Sequence, residues 1–440
     1  YCMSPIPPEN VHSVIGRHML ADGLEPIVDL EKSHGSYVYD PISGKDYLDL
    51  FSCFASLPVG WNHPKVLERK DELLAAAINK PTNSDIYSTQ MAEFVDTFAT
   101  IAKPDPFKYF FFISGGALGI ENALKASFDW KTRKRVENGL PVDENLKVIH
   151  FKQAFHGRTG YTMSLTDSAD LRKTEYFPKF PWPRITNPKI TFPQDDESTE
   201  KVIELEQQAI KEIDEVLVRD KDSVAALIIE PIQGEGGDNH FRGEFLRKLR
   251  EICTDHDIIY ILDEVQSGVG LTGKFWAYEH FGFVPDMIAF GKKSQVCGFM
   301  STDRIDEVDK NVFHNSNRLN STWGGNIVDM IRFKIYLEII QEDNLVQAAA
   351  EQGEYLQQSL RDLQERHTDK ISNARGRGLM CAFDLSTPEQ RNDLMQAIVN
   401  EGALILGSGT KTIRFRPHLN VSREEIDEGV EIMEKALKKI

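Results

Sequence analysis

The chain has 440 residues, long enough for one large core with a smaller companion, or for two to three domains. Its 41% apolar and 27% charged residues fall in the ordinary soluble globular range. A formal charge of −17, from 68 acidic against 51 basic residues, repels phosphate backbones and anionic bilayers, which sets nucleic acid and membranes aside as partners.

The N-terminal "YCMSPIPPEN" has neither a basic n-region nor an apolar h-region, so nothing points to secretion. No later apolar run approaches the ~20 residues that span a bilayer. Residues 36–51, "SYVYDPISGKDYLDLF", read as a hairpin turning at "DPISGK". Strand patterns follow at 108–113, 147–151, 225–231, 258–265 and 286–290. Several are near-continuous Ile, Leu, Val and Phe, as expected of strands buried on both faces of a parallel sheet. Helical patterns at 119–139, 198–218 and 243–257 separate them, the second opening at Ser198 with an imperfect capping box. Strands alternating with helices imply an α/β fold with a large, doubly wound, mostly parallel sheet.

From Asn326 a helical pattern runs to about Arg366, broken near Glu342–Asn344. Beyond it lie strand patterns at 378–385, 402–407 and 412–419, a helix at 387–401 and a terminal helix, together a small α+β domain. The expected division is 1–55 as an N-terminal segment contributing to the small domain, 56–330 as the large domain and 331–440 as the C-terminal small domain. The cysteines Cys2, Cys53, Cys253, Cys297 and Cys381 are odd in number and form no C-x-x-C. That argues against a metal site or a disulfide framework and for a reducing, cytoplasmic setting.

Ligands of open α/β sheets collect beyond the carboxyl ends of the strands. Four such ends carry unusual polar residues. "FFFISGGALGIENALK" runs through Gly116 and Ala117 into a helix whose first amides and dipole suit an anion. It is neither a Walker A motif nor G-x-G-x-x-G, and taken alone it reads equally well as a turn that permits tight packing. "IIYILDEVQSG" ends with Asp263, a carboxylate costly at that depth unless it meets a cation. "AFHGRTG" supplies Phe155, His156 and Arg158, with His156 alone more often a structural histidine. "AFGKKSQVCG" places Lys292 and Lys293 just past a strand, and adjacent residues of an extended chain face opposite ways. Anion cradle, carboxylate, aromatic ring and lysine together suit pyridoxal 5′-phosphate, with its phosphate, ring nitrogen, flat face and aldehyde.

These stretches, with "YVYDPISGKDYLDLFS", "IEPIQGEGGD" and "STWGGN", resemble the class III (ω-amino acid) aminotransferases, pyridoxal-phosphate-dependent transferases of fold type I, from about residue 26 to the C-terminus. Within that class "NKPTNSDIYS", "FGKKSQVCG", "RLNSTWGGN" and "RGRGLMCAF" are most similar to the enzymes that act on L-lysine. The resemblance implies Lys292 as the Schiff-base lysine and leaves Lys293 solvated or structural. It implies Asp263 on the pyridine nitrogen, Phe155 and Val265 on the ring faces, Gly116 and Ala117 on the phosphate, and Gln266 near ring hydroxyl and substrate. Asn320 and Thr322 would reach the phosphate across a homodimer interface.

The implied reaction moves the ε-amino group of L-lysine to 2-oxoglutarate, giving 2-aminoadipate 6-semialdehyde and L-glutamate. Arg158 would grip the distal carboxylate of both substrates, and Arg414 the carboxylate of 2-oxoglutarate beside the ring. Arg416 is the fallback for Arg414. Glu235 would pair with Arg414 while lysine is bound and swing aside for the dicarboxylate, its flanking glycines permitting the motion. For each of these residues alone, a surface ion pair is the commoner meaning. Rivals are another ω-aminotransferase acting on ornithine, 4-aminobutyrate or a diamine, an aminomutase needing no separate acceptor, and a non-catalytic or nucleotide-binding α/β protein.

Overall fold

The structure, a computed structural model, describes residues 5–440, so Cys2 lies outside the described residues. The other cysteines, Cys53, Cys253, Cys297 and Cys381, are free thiols. The expected hairpin is present as β1 (Tyr37–Asp40) and β2 (Lys45–Asp49), paired antiparallel. Asp40 closes its turn by accepting from the amides of Ile42 and Ser43 at 3.2 and 3.1 Å, a local bond that favours turning over extension.

The large sheet comprises β3 (Phe107–Ile113), β4 (Lys147–Phe151), β5 (Arg184–Ile185), β6 (Val224–Ile229), β7 (Ile259–Asp263), β8 (Met287–Phe290) and β9 (Cys297–Thr302). Its order is β3-β9-β8-β7-β6-β4-β5, with β9 alone antiparallel to its neighbours. Helices α1 (Gly116–Glu137), α2 (Asp196–Asp220) and α3 (Gly243–Asp255) cover the sheet. Alternate residues of the central strands serve different cores. Ala226, Ile228, Ile259, Ile261, Met287 and Ala289 cluster with Ile120, Leu124 and Trp130 of α1. Leu227, Ile229, Tyr260, Leu262, Ile288 and Phe290 belong to a second cluster with Ile213 of α2 and Leu246 and Leu249 of α3. Both faces are dry, which is why these strands read as continuous apolar runs; each large side chain so buried contributes ~1.5–3 kcal/mol.

The second helix starts earlier than Ser198. Asp195 is its N-cap, accepting from the Ser198 amide at 2.8 Å, while Ser198 Oγ accepts from the Asp195 amide at 2.9 Å. Ser198 is therefore the third residue of the box rather than its start, and an aspartate at the cap also suits the helix dipole.

The C-terminal part begins with α4 (Ile327–Glu342) and α5 (Leu345–Arg366), separated by Asn344 at a left-handed φ of 50°. Then come β10 (Ile371–Arg377), β11 (Met380–Leu385), α6 (Pro388–Glu401), β12 (Ala403–Leu404), β13 (Leu406–Ser408), β14 (Thr412–Phe415) and α7 (Arg423–Leu437). Strands β10, β11, β14 and β13 form an antiparallel sheet in that order, while β12 joins β2 in parallel. This pairing ties the N-terminal hairpin to the C-terminal unit. Strand β14 stops short of the expected 412–419 because Arg416 turns its amide to Leu50 O at 2.7 Å and Pro417 has no N–H to continue a ladder.

Candidate active site

The carboxyl ends of β3, β4, β6, β7 and β8 converge on one cavity of about 420 Å³, a size suited to a small organic ligand. The ladder itself brings two of its residues together. Asp263, the last residue of β7, is in register with Ala289 of β8, and Lys292 follows three residues later. There the chain turns: Lys292 has φ 54°, and the Gln295 amide donates to its carbonyl at 2.9 Å. A left-handed non-glycine residue costs on the order of 1 kcal/mol, and here it aims a side chain into the cavity wall. Lys292 and Asp263 line the same cavity. Desolvation, reinforced by Arg414 and Arg416, lowers the Lys292 amine to about 8.

Lys293 is not solvated. Its side chain is buried and its ammonium donates to Gln266 O at 2.8 Å and Ala55 O at 3.3 Å, so the structural alternative holds. Ala55 ends a left-handed turn, Ser52 to Ala55 with φ from 41 to 63°, which carries Phe54 into the cavity wall, its ring centroid 5.8 Å from Lys292 Nζ.

Asp263 is gripped on both oxygens. His156 Nδ1 meets Oδ2 at 2.7 Å with both side chains buried, and the Val265 amide donates to Oδ1 at 3.0 Å. His156 Nε2 is buried without a hydrogen-bond partner among the described residues. Glu230, beyond β6, accepts from the amides of Phe155 at 2.9 Å and Gly234 at 3.0 Å. Burial, then the Asp263 charge, raises its carboxyl well above the usual range and favours the neutral acid. Phe155, Val265, Gly116 and Ala117 line the same cavity. Helix α1 starts there without a side-chain cap, which leaves its first amides free. A Cβ on Gly116 would lie 2.9 Å from Val265 Cγ1, so only glycine lets the helix approach so closely.

The outer cavity holds Arg158, Glu235 and Arg414, the residues expected on the substrate side. Arg158 is exposed, its guanidinium 6.0 Å from the Phe155 ring centroid. Arg414 Nη1 donates to Gln266 Oε1 at 3.3 Å, its Nε is buried and unpartnered among the described residues, and burial with Arg416 lowers it to about 10. Arg416 is unsuited as the fallback: it grips Asp238 at 2.8 and 2.6 Å and does not line the cavity. The expected Glu235–Arg414 pair is absent here. Glu235 Oε1 instead meets Lys173 Nζ and accepts from Ser168 Oγ at 2.8 Å. The glycines around Glu235 serve packing rather than motion. A Cβ on Gly234 would lie 2.3 Å from Gln266 Oε1, and one on Gly236 2.0 Å from Gln153 O. Asn320 and Thr322 are exposed and outside this cavity.

Sequence reasoning missed Glu230, Phe54 and Lys173 and left His156 as structural. Glu230 carries the signature that flagged Asp263, an acid closing an apolar run; nothing in the sequence marks Lys173.

The residues fit pyridoxal 5′-phosphate. Free amides at an uncapped glycine helix start suit its phosphate, a doubly held carboxylate suits its ring nitrogen, and Phe155 and Val265 suit its faces. An amine lowered to about 8 suits its aldehyde. Residues 20–437 match the family model described as Aminotransferase class-III. The chain is 45% identical over 436 residues to the L-lysine-epsilon aminotransferase of Mycobacterium tuberculosis, covering 98% of this chain and 96% of that one. To the protein of the same name from Amycolatopsis lactamdurans it is 46% identical over 432 residues, 97% and 95% of the two. A solved lysine aminotransferase from M. tuberculosis, in the internal aldimine form, matches with a TM-score of 0.95 at 45% identity, covering 98% of this chain and 99% of that one.

Proposed function

Because this chain belongs to the class III aminotransferases, which use pyridoxal 5′-phosphate, we propose that it transfers the ε-amino group of L-lysine to 2-oxoglutarate, yielding 2-aminoadipate 6-semialdehyde and L-glutamate. Near-full-length identity to proteins named for that donor carries the choice of substrate.

When bound, the cofactor supplies a protonated pyridine ring that stabilises negative charge at the carbon losing its proton. Asp263, steadied by His156, keeps the ring nitrogen protonated through a charge-assisted bond worth ~1.5–3 kcal/mol. Gly116 and Ala117 would take the phosphate, Phe155 and Val265 would cover the ring, and Gln266 would lie by the ring hydroxyl. The Lys292 amine would hold the cofactor by its aldehyde and, once freed by substrate, would serve as the base that takes the proton from the amine-bearing carbon.

Arg158 grips the carboxylate farthest from the ring in either substrate. Arg414 takes the near carboxylate of 2-oxoglutarate, which L-lysine lacks at that place. Glu235 moves from Lys173 to Arg414 when the uncharged methylenes of lysine pass, so that no cation is left unpaired beside them. Asn320 and Thr322 serve the phosphate of a second copy. The exposed Leu74, Ile78, Ile86, Tyr87 and Trp323 support such a homodimer. No helix among the described residues is long and apolar enough to cross a membrane; a cytoplasmic setting, and the division at 55 and 330, complete the reading.

A panel of amino donors with 2-oxoglutarate, with the aldehyde product identified, tests this. L-Lysine should give the 6-semialdehyde fastest; a faster ornithine, 4-aminobutyrate or diamine would refute the donor assignment.

A further inference from the structure

We propose that Lys173 is the resting partner of Glu235, a positioning residue that holds this carboxylate off Arg414 and keeps the dicarboxylate-binding state of the site populated. The proposal rests on the reading of Glu235 and Arg414 given above and adds the residue that sets their balance.

Lys173 closes a short 3-10 turn, Leu171–Lys173, capped by Asp170, whose side chain accepts from the Arg172 amide. Its ammonium meets Glu235 Oε1, to which Ser168 Oγ also donates at 2.8 Å. Both charged side chains are mostly shielded, 25% and 19% exposed, and both line the cavity with Arg414. Among the described residues Glu235 Oε2 is buried without a partner, and so is Arg414 Nε. Each therefore keeps unused hydrogen-bonding capacity that a change of partner would satisfy.

The backbone beneath Glu235 is fixed. Its carbonyl accepts from the Gly409 amide at 2.7 Å, and the close contacts of Gly234 and Gly236 leave no slack. The carboxylate can change partner only by turning its side chain. Arg414 then has an anionic partner in both substrate states. With a dicarboxylate bound, Arg158 and Arg414 each hold one carboxylate and Lys173 neutralises Glu235. With L-lysine bound, Arg158 holds the one carboxylate, Glu235 neutralises Arg414, and Lys173 is left at the wetter edge of the cavity. Two cations compete for one carboxylate, so weakening either shifts the population toward the other.

The test uses the holoenzyme with L-lysine and 2-oxoglutarate, following the two half-reactions separately. Lys173→Met should raise the KM for 2-oxoglutarate about three- to tenfold, as loss of one partly shielded ion pair allows, and leave the lysine half-reaction unimpaired. Lys173→Arg should restore the acceptor KM. Ser168→Ala, which removes the neutral donor to the same oxygen, should move it in the same direction by less, and supplies the readout if Lys173→Met fails to fold. In a Glu235→Gln background, Lys173→Met should change nothing further. An unchanged acceptor KM, a parallel rise for both substrates, or a rise that persists in that background would overturn the proposal; the last two would make Lys173 a direct substrate ligand. Failure of the underlying reading looks different: the wild-type enzyme would not use L-lysine, or Glu235→Gln would leave both half-reactions alike.

Discussion

The two ends of the cavity are built on opposite rules. At the inner end every polar group of Asp263 is committed: one oxygen to His156, the other to the Val265 amide, with the β7–β8 ladder setting its distance from Lys292. At the outer end Glu235 and Arg414 each keep a buried polar atom with no partner among the described residues, and Glu235 sits on Lys173 rather than on Arg414. The inner end serves a group that never changes, so a carboxylate held on both oxygens is preorganised for it. On the proposed reaction the outer end takes first one net charge and then another, which requires bonds that can be exchanged. What separates the ends is the carboxylate: Asp263 has both oxygens held, whereas Glu235 has one oxygen held and the other without a partner among the described residues.

Breaking the inner end should cost most. Lys292→Ala should lower kcat by about 10²–10⁴-fold or more, the scale of a lost general base, and abolish the visible band reducible by borohydride. Lys293→Ala should keep most of the turnover and instead lose about 1–3 kcal/mol of stability, read as a lower Tm, because two buried carbonyls lose their donor. Asp263→Asn should reduce kcat by roughly 10²–10³-fold with substrate KM values little changed. At the outer end the losses should be smaller and unequal. Arg414→Gln should weaken 2-oxoglutarate by about 10–100-fold, the worth of one charge-assisted contact, and spare the lysine half-reaction. Glu235→Ala should reverse that asymmetry in single-turnover assays.

The smallest effect is a pH signature of the inner end. Burial lowers the Lys292 amine to about 8, against ~10.4 for a free lysine. Between those values the unfolded chain holds more protons on this amine than the folded one. Its contribution to stability therefore rises with pH across that window, and is unfavourable below about 8. The rate at which cofactor-free protein takes up pyridoxal 5′-phosphate should climb through about pH 8 and flatten well before ~10.4. A rate still rising at the higher value would mean the amine is solvated.

The inner end was legible in the sequence because its logic is local. An acid closing an apolar run, a Gly-Gly-Ala helix start and a lysine past a strand each announce a cost or a capacity in a few letters. The α/β order was legible for the same reason, since strands covered on both sides must be apolar throughout. The outer end was not. Lys173 and Glu235 are 62 residues apart and meet only because two loops pack together. Arg414 and Arg416 look interchangeable in "TIRFRPHL" until Asp238 is seen to take one of them. The glycines around Glu235 read as freedom and proved to be close packing, because a missing Cβ has the same spelling in both cases. His156 was passed over since a lone histidine carries no pattern; its meaning is the carboxylate 2.7 Å away.

All of this depends on which amine carries the cofactor. Borohydride reduction of the holoenzyme, digestion and mass spectrometry of the peptide spanning "AFGKKSQVCG" would locate the pyridoxyl group directly. The structure predicts it on Lys292, the half-buried amine that lines the same cavity as Asp263. A label on Lys293, or on any other lysine, would contradict the account.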